Sequence, residues 1–169
     1  MKTTALLCSA ALFLGACQNL STSTDNAGNG NVGVAEASAH KAIERPGFAT
    51  FEKDGRLTVF RLEDPALVEF QTARDLVKSV THIGVGPNGC TVRAPDDETI
   101  AGYVLARPGF VTRVVDGRIW VFTAGSEDFA EFCKNGEPAK CVTRIGAGPE
   151  GQTVRSSDQA VIDAWLAAL

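Results

Sequence analysis

Two short segments hold the residues of this chain that most invite a chemical reading. Gly84-Val85-Gly86-Pro87-Asn88-Gly89 and Gly146-Ala147-Gly148-Pro149-Glu150-Gly151 both fit the spacing G-x-G-x-x-G. Backbone amides at that spacing can surround a pyrophosphate when the loop opens directly into a helix. Neither segment has that setting. Thr91-Val92-Arg93 and Thr153-Val154-Arg155 come next and read as strand, each proline removes an amide donor, and Glu150 would repel a phosphate. A proline-glycine turn closing a hairpin accounts for the same letters. No nucleotide or other cofactor is expected at either segment.

Both segments belong to a longer duplication. Arg45-Pro46-Gly47-Phe48 recurs as Arg107-Pro108-Gly109-Phe110, an offset of 62 residues, and the copies align without a gap to Ala106 and Ala168. Shared positions include Asp54/Asp116, Gly55/Gly117, Val59/Val121, Phe60/Phe122, Glu69/Glu131 and most of the glycine-rich stretch. The chain is therefore a tandem pair rather than a long solenoid.

The duplication sorts the remaining reactive residues. Arg56/Arg118, Arg93/Arg155 and Lys78/Lys140 are cations present in both copies. If the copies pack together, these six could converge on a small anionic ligand. The plainer expectation is that they pair with Glu69 and Glu131 or lie on solvated strand faces. Cys133 and Cys141 fall on a predicted helix and the strand after it, and their counterparts Gln71 and Ser79 lack thiols together. In an oxidising compartment a Cys133–Cys141 disulfide is expected, with Cys90 unpaired; the alternative is three free thiols. His40 and His82 do not recur, no C-x-x-C or H-x-x-x-H is present, and no metal site is expected. Asp54 and Asp116 are explained by turns and Asp96 and Asp158 by helix caps, and no nucleophile–base arrangement stands out. No catalytic residue is nominated.

Each copy reads as ββαββα. Phe48 to Lys53 and Arg56 to Arg61 form β-rich runs joined by Asp54-Gly55, and Phe110 to Val115 and Arg118 to Thr123 are joined by Asp116-Gly117. Asp-Gly between such runs is a strong hairpin signal, because a type I′ turn needs positive φ at both central residues. Ile119-Trp120-Val121-Phe122 is apolar on both faces and predicts a central, doubly covered strand. A helix follows, capped by Asp64 with Pro65 in its first turn, or opened by Ser126 or Glu127. Strands are then expected at Lys78 to Ile83 and Thr91 to Arg93, with equivalents at Lys140 to Ile145 and Thr153 to Arg155. A closing helix is capped by Asp96 or Asp158. Its core face is Ile100, Tyr103 and Val104, or Ile162, Trp165 and Leu166.

A unit of this length is marginal alone, whereas the pair can bury a proper core. The expected fold class is α+β, with two tandem ββαββα repeats packed as a pseudo-twofold pair around a shared sheet or core. The hairpin and helix, Asp116-Gly117-Arg118-Ile119-Trp120-Val121-Phe122 and then Phe129-Ala130-Glu131-Phe132, resemble the YHS metal-handling module. The cysteines of that family's metal chemistry have no match after Phe60 or Phe122, so no metal binding is carried over.

The N-terminus supplies an address. Lys2 is followed by an apolar run from Ala5 to Leu14, too short to span a bilayer, and then by Leu14-Gly15-Ala16-Cys17. This resembles the lipobox of bacterial lipoproteins. The resemblance implies cleavage before Cys17 and modification of Cys17 by diacylglycerol and a further acyl chain, enough for stable anchoring. Gln18 in place of aspartate implies, in a Gram-negative host, the outer membrane facing the periplasm. Residues 1–16 are then a signal peptide and 17–34 a lipidated cysteine and polar, glycine-rich tether. Residues 35–106 are the first repeat with a leading helix, and 107–169 the second.

Sixteen basic against twenty acidic residues give a net charge of −4, poorly suited to nucleic acid. The expected role is a membrane-anchored lipoprotein with a non-catalytic binding, scaffolding or envelope-interaction function. Its partners would be the bilayer, an envelope protein or a small anion. Two rival readings are a periplasmic anion binder using the repeated arginines and an enzyme of unrecognised type.

Overall fold

The computed structural model describes residues 43–169. The expected signal peptide, Cys17, the expected tether, His40 and most of the expected leading helix lie outside the described residues. The first copy contains β1 (Phe48–Lys53), β2 (Arg56–Arg61), α1 (Pro65–Ala73), β3 (Val80–His82), β4 (Thr91–Ala94) and α2 (Asp97–Leu105). The second contains β5 (Phe110–Val115), β6 (Arg118–Thr123), α3 (Glu127–Asn135), β7 (Val142–Arg144), β8 (Val154–Ser156) and α4 (Gln159–Ala167). Both are ββαββα, and the fold is α+β.

Each copy has its own four-stranded sheet, in the orders β1-β2-β4-β3 and β5-β6-β8-β7. The hairpins β1–β2 and β5–β6 are antiparallel, while β4 and β8 run parallel to β2 and β6. The two Asp-Gly pairs have the paired positive φ that their turns require. Asp64, Ser126, Asp96 and Asp158 cap their helices through side-chain oxygens.

Alternation along the central strand divides each core in two. Ile119 and Val121 face α4 and pack with Ile162 and Trp165, whereas Trp120 and Phe122 face α3 and pack with Phe132 and Phe129. In the first copy Leu57 and Val59 face α2, with Ile100 and Tyr103, and Phe60 faces α1, with Leu67 and Phe70. A helix therefore covers each face of each sheet, which is why β6 is apolar on both sides. Val104, expected on the buried face of α2, is 39% exposed instead.

What the copies share is core and not sheet. Leu105, the last residue of α2, packs into the second copy's core beside Phe110 and Val114, as Ile43 packs into the first. The same polar contact marks both places. The Tyr103 hydroxyl donates to the Ile43 carbonyl at 2.6 Å, and Trp165 Nε1 donates to the Leu105 carbonyl at 3.2 Å.

The joint is locked by Arg113, 1% exposed, whose Nε and Nη2 reach the Glu63 carboxylate at 2.6 and 2.8 Å. Its nitrogens also donate to the carbonyls of Gly47 and Thr112, and its guanidinium lies 4.8 Å from the Phe48 ring centroid and 5.0 Å from that of Phe129. Twofold packing makes every such contact twice with the roles of the copies exchanged. The equivalents of Arg113 and Glu63 are Phe51 and Gly125, so this clasp is made once.

Candidate functional site

The glycine turns are built for packing. In the first, the Gly86 amide donates to the Cys90 carbonyl and the Gly89 amide to the Gly86 carbonyl, each at 3.0 Å. In the second, Gly148 donates to Gln152 and Gly151 to Gly148. These amides are engaged within the turn, and the chain continues into β4 or β8. A side chain at Gly86 would lie 2.4 Å from Cys90 Sγ, and one at Gly148 would lie 2.9 Å from Ile119 Cδ1. The middle glycine of each motif thus lets the turn close against its own sheet.

The two turns border one groove. His82 and Val85 form one bank, Pro149, Glu150 and Gln152 the other, and Ile100, Ala101, Val104 and Leu105 of α2 the floor. Its volume is about 220 Å³, enough for one or two apolar side chains. The rim's polar groups are held in place. His82 Nε2 lies 2.8 Å from Asp97, and Gln152 both donates to the Glu150 carboxylate and accepts from the Glu150 amide, each at 2.9 Å. A wider depression lies where the two Pro-Gly turns approach each other, bordered by Arg45, Pro46, Leu62 and Pro108.

The repeated cations do different things. Arg93 donates to Ser79, Asp75 and the Leu76 carbonyl, tying the loop after α1 to β4. That partnership and the Leu76 amide hold the exposed Asp75 carboxyl below its ordinary value, the amide having the larger effect. Arg155 repeats the arrangement, reaching Glu137 at 2.6 Å and Thr143 at 3.3 Å while stacking 4.3 Å from the centroid of Trp120. The acidic partners are therefore Asp75 and Glu137, not the expected Glu69 and Glu131; Glu131 accepts from the Ala139 amide instead. Arg56, Arg118, Lys78 and Lys140 are exposed and form no ion pair among the described residues. Arg56 and Arg118 sit at the hairpin tips, and Lys78 and Lys140 precede β3 and β7 at the other end of those strands.

The expected Cys133–Cys141 disulfide is not formed, and Cys90, Cys133 and Cys141 are all free thiols. Cys141 packs against the Trp120, Phe122 and Phe132 cluster, with Sγ near the Val142 carbonyl and the Thr143 hydroxyl. Cys133 is exposed, with Glu63 and Arg113 as its charged neighbours. The two side chains are committed to different surroundings. Desolvation by burial raises both the Cys90 and the Cys133 thiol pKa, which disfavours the reactive thiolate.

Sequence reasoning did not identify the groove residues or the Arg113–Glu63 clasp. The first depend on how two distant turns meet, and the second on residues that the duplication does not repeat. Ile83 and Ile145, duplicated at the expected ends of their strands, lie one residue beyond β3 and β7 and are exposed. The chain matches no protein-family model, and neither a curated protein nor a solved structure gives a significant match. Among the described residues no helix is long and apolar enough to cross a membrane.

Proposed function

We propose that this is a lipid-anchored bacterial envelope protein whose duplicated domain acts as a non-catalytic interaction module. Its contacts are made through the groove between the glycine turns. The observation that carries the reading is the convergence of both turns on the apolar outer surface of α2, where Val85 and Val104 remain part-exposed. The lipobox resemblance supplies the anchor at Cys17, and Gln18 supports the outer membrane. The anion-binding alternative draws less support, because Arg93 and Arg155 are occupied by acids of their own copies. Catalysis on the groove rim would have to use His82 and Glu150, which are paired with Asp97 and Gln152.

Two measurements test the proposal. Cys17→Ser should move the protein from the membrane to the soluble fraction, and an unchanged distribution removes the anchor. A photoreactive side chain placed at position 101, on the groove floor, should form envelope adducts in cells that Ala101→Trp in a competing copy does not relieve. The same group at position 77, which is fully solvated, should form none. Equal adducts at both positions would remove the groove from the reading.

A further inference from the structure

Ile83 and Ile145 occupy equivalent positions in the two copies and are 86% and 88% exposed. Isolated exposed apolar residues need no explanation, but three observations set these apart. Neither side chain belongs to a core cluster, so packing does not account for isoleucine at both positions. Some neighbouring positions have diverged, as in His82/Arg144 and Asn88/Glu150, while Thr81/Thr143 have not. The third is placement. The parallel registers Arg56↔Thr91 and Ile119↔Val154 bring each glycine turn to the same end of its sheet as the Asp-Gly hairpin tip. The turn carrying Ile83 supplies Val85 to the groove, and the turn carrying Ile145 supplies Pro149 and Glu150 to it. The two isoleucines therefore belong to the two turns that border the groove, where Val85 and Val104 add exposed apolar surface.

We propose that this rim is a membrane-docking surface, with Ile83 and Ile145 inserted at the interface of the bilayer that holds the anchor. The inference rests on the lipid-anchor reading and names the bilayer as the partner of the groove face. Chain length supports that occupant. The 26 residue steps from Cys17 to Ile43 can span at most about 90 Å, so an anchored domain stays within reach of lipid at high effective concentration. The chemistry of the rim favours shallow apolar insertion over attraction to anionic headgroups, because Lys53, Arg56 and Arg118 are offset by Glu52, Asp54 and Asp116 at the same ends of the sheets.

The test uses the full lipidated protein in vesicles of phosphatidylethanolamine and phosphatidylglycerol that contain lipid brominated on its acyl chains. Native Trp120 and Trp165 are buried and shielded from the quencher. The indole introduced by Ile145→Trp should lose much of its emission, as its depth at the acyl boundary requires, and Ile83→Trp should behave alike. Val77→Trp, at the far end of β3 from Ile83, should be unaffected. Quenching should persist at high salt. Protein that floats with vesicles but shows no quenching at 83 or 145, or equal quenching at 77, overturns the docking surface and leaves the anchor standing. Protein that does not float overturns both. Quenching abolished by salt overturns apolar insertion.

Discussion

Tyr103 shows how one side chain can serve both core and joint. It is the single tyrosine of the chain, 1% exposed, and packs edge-on to Phe48 while its hydroxyl donates to the Ile43 carbonyl. Burial pushes its pKa up to about 12, against the opposing pull of the Arg45 charge. The unfolded chain releases this proton near the ordinary value of 10, and the folded one holds it longer. Its contribution to stability is thus fully present below pH 10 and is lost as pH rises toward 12. A loss of order 2–3 kcal/mol is expected across that window. Comparing the native protein with Tyr103→Phe by chemical denaturation at pH 9 and pH 11 isolates this effect, and parallel losses in the two proteins would refute it.

At the scale of elements, two equivalent turns separate backbone strain from packing. Gly47 and Gly109 have φ of +81° and +83°, and their carbonyls accept from Leu62 and Ala124 respectively. A methyl group at Gly109 meets nothing within 4 Å, whereas one at Gly47 would lie 2.7 Å from Val111 Cγ1 and 3.0 Å from Arg113 Nη2. Gly109→Ala should therefore cost about 1–2 kcal/mol, the left-handed backbone alone. Gly47→Ala should cost roughly 3 kcal/mol or more, because rigid neighbours at the joint must also move. Thermal or urea unfolding of the two variants measures the difference directly, and equal losses would mean that the joint yields. The hairpins, caps and amphipathic helices were legible in the sequence because each rests on residues close in the chain. Strands β3 and β7 are shorter than expected, since pairing with β4 and β8 takes up three residues of each. Val104 was misplaced because helical periodicity marks a stripe without telling how wide a surface the sheet can cover.

Over the whole molecule, stability depends on a joint made once. Glu63→Ala would leave the buried Arg113 cation with two carbonyls and the Phe48 and Phe129 rings but no anion, and a loss of about 2 kcal/mol is expected, the partial exposure of Glu63 and these remaining partners keeping it below that of a fully buried broken pair. Trp120 and Trp165 both lie in the second copy, so fluorescence reports that copy while far-ultraviolet circular dichroism reports both. The two signals should unfold together in the native protein, because Leu105 and the Arg113 clasp couple the cores. Separate transitions in the native protein would mean that the copies fold as independent units.

Composition, duplication and local patterning determined the α+β class, the order of elements in each copy and the expectation of a lipid anchor, because these depend on nearby residues or on comparing one copy with the other. The same comparison directed attention to repeated arginines, and two of them turned out to brace loops within their own copies. Tertiary structure decided how the copies meet. Arg113 and Glu63 are distinctive because their counterparts Phe51 and Gly125 differ, since a contact between unlike surfaces is required only once; Gly47 is repeated as Gly109 and differs from it only in its surroundings. It also turned the glycine motifs from a nucleotide-like spacing into the two banks of one groove, for no local signal reports which distant turns will share a helix.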